Sequence, residues 1–190
     1  ANIAKAAREN GVPTETAFLG ADSAEVLLAR LGRHADLVIA NNVLAHVPDV
    51  NDFVAGLARL AGPQGMLSIE APHLLRMVEG VQFDTMYHEH YAYWSFLAME
   101  RLLARHGLHV AQVEELPTHG GSLRVFACTR VASSTPESVL ALRDLELRWG
   151  LGGDAFYRGF DQRVRLVLDD FRIWMSQSRK QGRRVAAYGA

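Results

Sequence analysis

The chain has 190 residues, 49% of them hydrophobic, and a net charge of −1 with Lys and Arg scattered along it. That is enough to bury the core of one domain, or of one domain and part of another, and the charge excludes the basic footprint of a nucleic-acid binder. No apolar run reaches the roughly 18 residues of a membrane helix and no signal-peptide pattern opens the chain, while a single cysteine, Cys128, excludes an internal disulfide or a cysteine-rich zinc site within these residues. A cytoplasmic location fits this cysteine usage.

"ANIAKAARENG" reads as a helix, with Ile3, Ala6 and Ala7 apolar and Gly11 as its stop. "VPTETAFLG" is a short strand candidate. "SAEVLLARLG" is an amphipathic helix with Ser23 at its N-cap and Gly32 at its end. The apolar run Ala35–Asn42 has the look of a buried parallel strand. "NDFVAGLARLAGPQG" follows as a helix capped by Asn51, and "MLSIEAP" as the next strand. Alternating strands and helices with short connections predict a parallel sheet with helices on its faces.

A helix over Ser95–Gly107 comes next, with Phe96, Leu97, Leu102 and Leu103 on one side. "LHVAQVEEL" and "SLRVFACTR", joined by "PTHGG", form an antiparallel pair closing the sheet. The texture changes at Ser133, so a boundary is placed near residue 132. Two long charged helices follow, and "RVAAYGA" reads as the first strand of a further unit. The expected architecture is α/β: a partial doubly wound sheet over 1–132 ending in a hairpin, then helices over 133–190 opening a second α/β domain. Both ends read as cut, as in an internal piece of something longer.

In open parallel sheets, ligands lie beyond the carboxyl ends of the strands. Three stretches fall there: "NNVLAHVPD" (Asn41–Asp49), "EAPHLL" (Glu70–Leu75) and "FDTMYHEHYAYW" (Phe83–Trp94). They bring His46, His73, His88 and His90, four of eight histidines, toward one rim. Imidazole is the side chain best matched to proton transfer near neutrality. Plainer readings stand beside this one. His46 can bond a local carbonyl, Asn41 and Asn42 can cap a turn, Glu89 can be a solvated loop charge, and Tyr87, Tyr91 and Tyr93 can be packing aromatics. The pair His88-x-His90 lacks third and fourth ligands at a telling spacing, so no metal is assigned.

"NNVLAHVPDVNDFVAGLARL", "FDTMYHEHYAYWS", "MERLLARHGL" and "LPTHGGSLRVF" resemble, in order and spacing, the S-adenosylmethionine-dependent sugar C-methyltransferases, which methylate C-3 of nucleotide-linked 4-keto deoxysugars. The resemblance implies a class I methyltransferase domain with a Rossmann-like sheet. It implies S-adenosylmethionine as cofactor, and zinc only in an N-terminal domain that these residues do not include. The Gly-rich cofactor loop and the acidic strand end that holds the ribose are also absent, so the fragment is expected to bind cofactor poorly and not to turn over unaided. The resemblance puts His90 as the base, Tyr87 and Glu89 as groups that position the sugar or tune that base, and His46 beside the same carbon or the keto oxygen. Gly20 and Ala21, in "GADSAE", would approach the adenine, and Asn41 the methionine end. His73, Ser122 and Arg124 are the candidate contacts to a nucleotide–sugar, the last two at its diphosphate.

Chemistry supports an imidazole base over Glu89, because an unperturbed imidazole titrates near pH 6.5, about two units above a carboxylate. Two other classes stay open: a non-catalytic methyltransferase-like module that holds a ligand or partner, and a metal-dependent hydrolase or isomerase using His88 and His90.

Overall fold

The computed structural model describes residues 2–188. Helix α1 (Asn2–Glu9) buries no residue, and Ile3 stands in solvent. The strand expected in "VPTETAFLG" does not form; residues 12–19 are irregular and Phe18 is fully exposed. A strand needs a ladder partner, and among the described residues none lies beside this segment.

Helix α2 (Ala21–Leu31) begins earlier than expected. Gly20, not Ser23, is its N-cap, and Ser23 accepts the Gly20 N–H through Oγ at 2.9 Å. Strand β1 (Leu37–Asn41) is parallel to β2 (Met66–Pro72) but is an edge, with Leu37 and Ile39 exposed rather than buried as the apolar run suggests. Between them, α3 (Val50–Ala61) is capped by Asp49, whose carboxylate accepts the Asp52 N–H, and not by Asn51. Phe53, Val54, Leu57 and Ala61 recur at helical spacing and point into the core; each large side chain so buried contributes about 1.5–3 kcal/mol.

A short helix that periodicity did not announce, α4 (Leu74–Glu79), follows β2 directly. After the loop come α5 (Phe96–Arg105, capped by Ser95), β3 (His109–Leu116) and β4 (Ser122–Cys128). The sheet order is β1-β2-β4-β3. The hairpin does close the sheet, but its second strand lies inside: β4 is antiparallel to both β2 and β3. The result is a Rossmann-like sheet in which β1, β2 and β3 share one direction, with their carboxyl ends on one rim.

Helix α6 (Glu137–Trp149), assigned from sequence to the following unit, packs on this sheet. Val139 and Leu142 join its core, and Ser138 Oγ accepts the Val113 N–H of β3 at 3.3 Å. Helix α7 (Phe160–Lys180) buries only Ser178 among its residues and leaves Phe171 and Trp174 stacked and exposed. Residues 183–188 form no strand, against expectation, and Gly189 and Ala190 lie outside the described residues. No helix of the described chain is long and apolar enough to cross a membrane.

Candidate functional site

Strands β1 and β2 end at Asn41 and Pro72, and antiparallel β4 starts beside Pro72 at Ser122. The rim therefore gathers the turn after β1, the turn after β2, the Thr118–Gly121 connection and the loop between α4 and α5. Backbone bonds stitch that loop down: Tyr91 N–H donates to Ala45 O at 2.8 Å, and Leu74 N–H to Trp94 O at 2.8 Å. A local turn, His90 N–H to Tyr87 O at 3.0 Å, folds the YHEH segment on itself.

The turn brings His90 into a group of rings. Its centroid lies 4.3 Å from Tyr87, 4.6 Å from His46 and 5.7 Å from the edge-on Tyr93. His90 Nδ1 sits 2.9 Å from Thr85 O, and His46 Nδ1 sits 3.1 Å from Glu89 O. A carbonyl only accepts, so each Nδ1 carries the proton and each neutral ring keeps its lone pair on Nε2. Neither Nε2 is hydrogen-bonded among the described residues. Both rings are partly exposed, as a site open to a ligand needs. Glu89 and Tyr87 are exposed on the same segment; of Glu89, only the backbone carbonyl is engaged among the described residues. Among the described residues no three His, Cys, Asp or Glu side chains are grouped as metal ligands.

The expected substrate contacts divide. His73 and Ser122, expected at the nucleotide–sugar, are each 1% exposed and hydrogen-bonded within the protein. Ser122 Oγ donates to Thr118 O at 3.0 Å, bracing the turn before β4. His73 Nε2 donates to Glu146 Oε1 at 2.8 Å. Arg124 is on the rim but already paired: it donates to Glu70 Oε2 at 2.9 Å, and the buried Glu70 also accepts from Thr118 Oγ1 at 3.1 Å.

Residues 3–113 match the methyltransferase domain family, and residues 117–190 match the C-methyltransferase C-terminal domain. The chain is 34% identical over all 190 residues to the C-methyltransferase NovU of Streptomyces niveus. The chain belongs to the methyltransferase domain family, and its C-terminal part is similar to C-methyltransferases. It spans 45% of that relative's length. Among solved structures, magnesium protoporphyrin IX methyltransferase from Synechocystis is 24% identical, covering 53% of this chain and 47% of its own, with a TM-score of 0.38. A methyltransferase from Anabaena variabilis is 13% identical, covering 58% and 55%, with a TM-score of 0.44.

The turn expected near the cofactor is instructive. The amides of Gly20 and Ala21, expected near the adenine, are spent inside the protein: Gly20 N–H on Ser23, and Ala21 N–H on Asp52 Oδ1 at 2.9 Å. A Cβ at Gly20 would collide with the same Asp52 carboxylate. These two residues therefore shape the turn with their own amides engaged. At the end of β1, Asn41 is exposed, whereas Asn42 holds a positive φ of 53°. Its buried Oδ1 has no partner among the described residues. A left-handed non-glycine residue with an orphan acceptor is a strained arrangement of the kind retained at functional sites. The doublet Asn41–Asn42 signalled this turn in the sequence, but only the backbone shows which Asn turns inward.

Proposed function

We propose that the full-length protein methylates C-3 of a nucleotide-diphospho 4-keto-deoxysugar, with His90 as the base. The observation that carries this reading is the shared state of two neighbouring imidazoles: His90 and His46, partly exposed beside one another, each give Nδ1–H to a carbonyl, and neither Nε2 has a partner among the described residues. Family membership and the similarity to NovU support it.

A C–H next to a ketone is acidic because the resulting charge spreads onto oxygen. His90 Nε2 takes that proton, and Thr85 O, already bonded to Nδ1, steadies the imidazolium that forms. His46 and the Tyr87 hydroxyl are placed to meet the developing oxyanion or the sugar hydroxyls. S-adenosylmethionine, when bound, supplies the electrophilic methyl. Asn42 Oδ1, with Asn41 beside it, would accept from the cofactor's ammonium. Arg124 keeps guanidinium donors beyond the one given to Glu70, and these can meet a diphosphate. Residues 133–190 we read as the opening of a second α/β domain whose first helix seals the first. The protein is expected to act in the cytoplasm on this small molecule without nucleic acid.

The test is exchange at carbon. Full-length protein incubated with a 4-keto-deoxysugar nucleotide in D2O should replace the C-3 proton with deuterium, and should methylate C-3 when cofactor is present. Absence of both would sink the reading.

A further inference from the structure

Glu146 is a carboxylate with 0% exposure, and three donors converge on it. Oε1 accepts from Phe96 N–H at 2.6 Å and His73 Nε2–H at 2.8 Å, and Oε2 accepts from Leu97 N–H at 2.9 Å. Phe96 and Leu97 are the first residues of α5, where helical amides lack internal partners and a negative charge is favoured. His73 is the N-cap residue of α4 and pairs in parallel with Trp94. Its N–H donates to Gly121 O at 3.0 Å, in the turn before β4. One carboxylate on α6 thus fastens the start of α5 to the start of α4. The segment between those helices carries Tyr87, Glu89 and His90. His73 and His90 also line one small cavity, together with Thr85, Tyr93 and Trp94, so the held imidazole forms part of the wall beside the base.

We propose that Glu146 is a positioning residue for the reaction, acting through His73 and the α5 amides to hold the base-bearing loop in register with the rim; this rests on the proposed role of His90. The carboxylate is required rather than merely tolerated. Three donors need an acceptor at both oxygens, and a glutamine supplies one acceptor and one NH2 group. Either amide orientation sets the NH2 against at least one backbone N–H. The loop then loses an anchor, and displacement of a reacting group by about 1 Å can cost about 100-fold in rate. The anchor comes from the part of the chain that matches the C-terminal domain of C-methyltransferases, so the half without the base sets the geometry of the half that has it.

The experiment compares full-length wild type, Glu146→Gln and His73→Gln, well below their melting temperatures and per cofactor-binding site. His73→Gln leaves the carboxylate on its two backbone amides and so keeps the α5 cap. Expected are a fall in kcat and in C-3 deuterium exchange of about 10- to 100-fold for Glu146→Gln, by loss of alignment, and a smaller fall for His73→Gln. Cofactor affinity should stay within about twofold in both, because neither side chain lies on the cofactor side of the rim. Unchanged kcat per folded site in both variants, whatever their melting temperatures, overturns the inference, as does unchanged kcat in His73→Gln if Glu146→Gln does not fold. A wild type without transfer or exchange defeats the function reading instead.

Discussion

Two imidazole sites lie at one end of the sheet and differ in almost every physical respect. At the rim, His90 and His46 are partly exposed, bonded through Nδ1 to carbonyls, and free at Nε2. Beneath it, His73 is sealed, with Nε2 committed to a buried carboxylate. The same side chain is left reactive in one place and immobilised in the other, and the difference lies in what each Nε2 meets. A nitrogen without a partner on a partly exposed ring can take a proton from a ligand. A nitrogen locked to a buried carboxylate can only hold structure.

The largest effect should come from breaking the open side. In the full-length protein, His90→Ala should lower turnover by roughly two to four powers of ten, as loss of an acid–base group commonly does, while cofactor affinity by calorimetry changes little. Turnover near wild type would remove His90 from the chemistry. Tyr87→Phe keeps the ring that packs on His90 and removes only the hydroxyl, so its smaller loss isolates the contribution at the oxyanion.

The sealed side should break in stability first. Glu146→Ala leaves three donors without their acceptor, and each one that stays buried and unsatisfied costs about 1–3 kcal/mol. Glu89→Ala, on an exposed side chain, should shift unfolding by no more than about 0.5 kcal/mol. Urea unfolding of the two variants tests the contrast directly, and equal midpoints would mean that Glu146 is not the anchor the geometry describes.

Much of the open site was legible in the sequence. Helix and strand alternate from residue 21 to residue 79, the hairpin after α5 was expected, and four histidines lie in segments at the rim. What was not legible depends on neighbours distant in sequence. "VPTETAFLG" has a strand's composition, but a strand exists only beside another. Glu146 lies 73 residues from His73 and 50 from Phe96, inside "LRDLELRWG", where a glutamate looks like one more solvated charge. One signal was present: Val139, Leu142 and Glu146 fall on the same face of the helix, which sets a carboxylate among core side chains. Asn41 and Asn42 could not be told apart either, because their roles turn on a single left-handed backbone angle.

A third contrast concerns the turn at Gly20. If its amides belong to Ser23 and Asp52, then Gly20→Ala should displace Asp52 and cost about 1 kcal/mol, the typical worth of a helix-start contact. Asp52→Ala should cost a similar amount, and the two losses should not add, since they remove one interaction. Additive losses in thermal unfolding would show that the turn is held by something else.

The smallest effect reads the charge at Glu146 from outside. Tyr157 is 42% exposed, but its hydroxyl is turned in to donate to Leu151 O at 3.1 Å. Burial of that end raises the phenol above its ordinary value, and the negative charge of Glu146 raises it further. A raised folded value means that the native state keeps this proton longer than the unfolded chain does. The contribution to stability is therefore fully present below the ordinary phenol range near pH 10, and is lost as pH rises through the folded value. Tyr157→Phe should remove the part of the alkaline fall in stability that this phenol causes and leave the slope of the profile at neutral pH unchanged. In Glu146→Gln the Tyr157 phenol should titrate closer to its ordinary value, as read by the difference in tyrosinate absorbance with and without Tyr157. No movement of that titration would mean that position 146 carries no charge in the folded protein, and the sealed site would then be a neutral hydrogen-bond cluster rather than an anchored carboxylate.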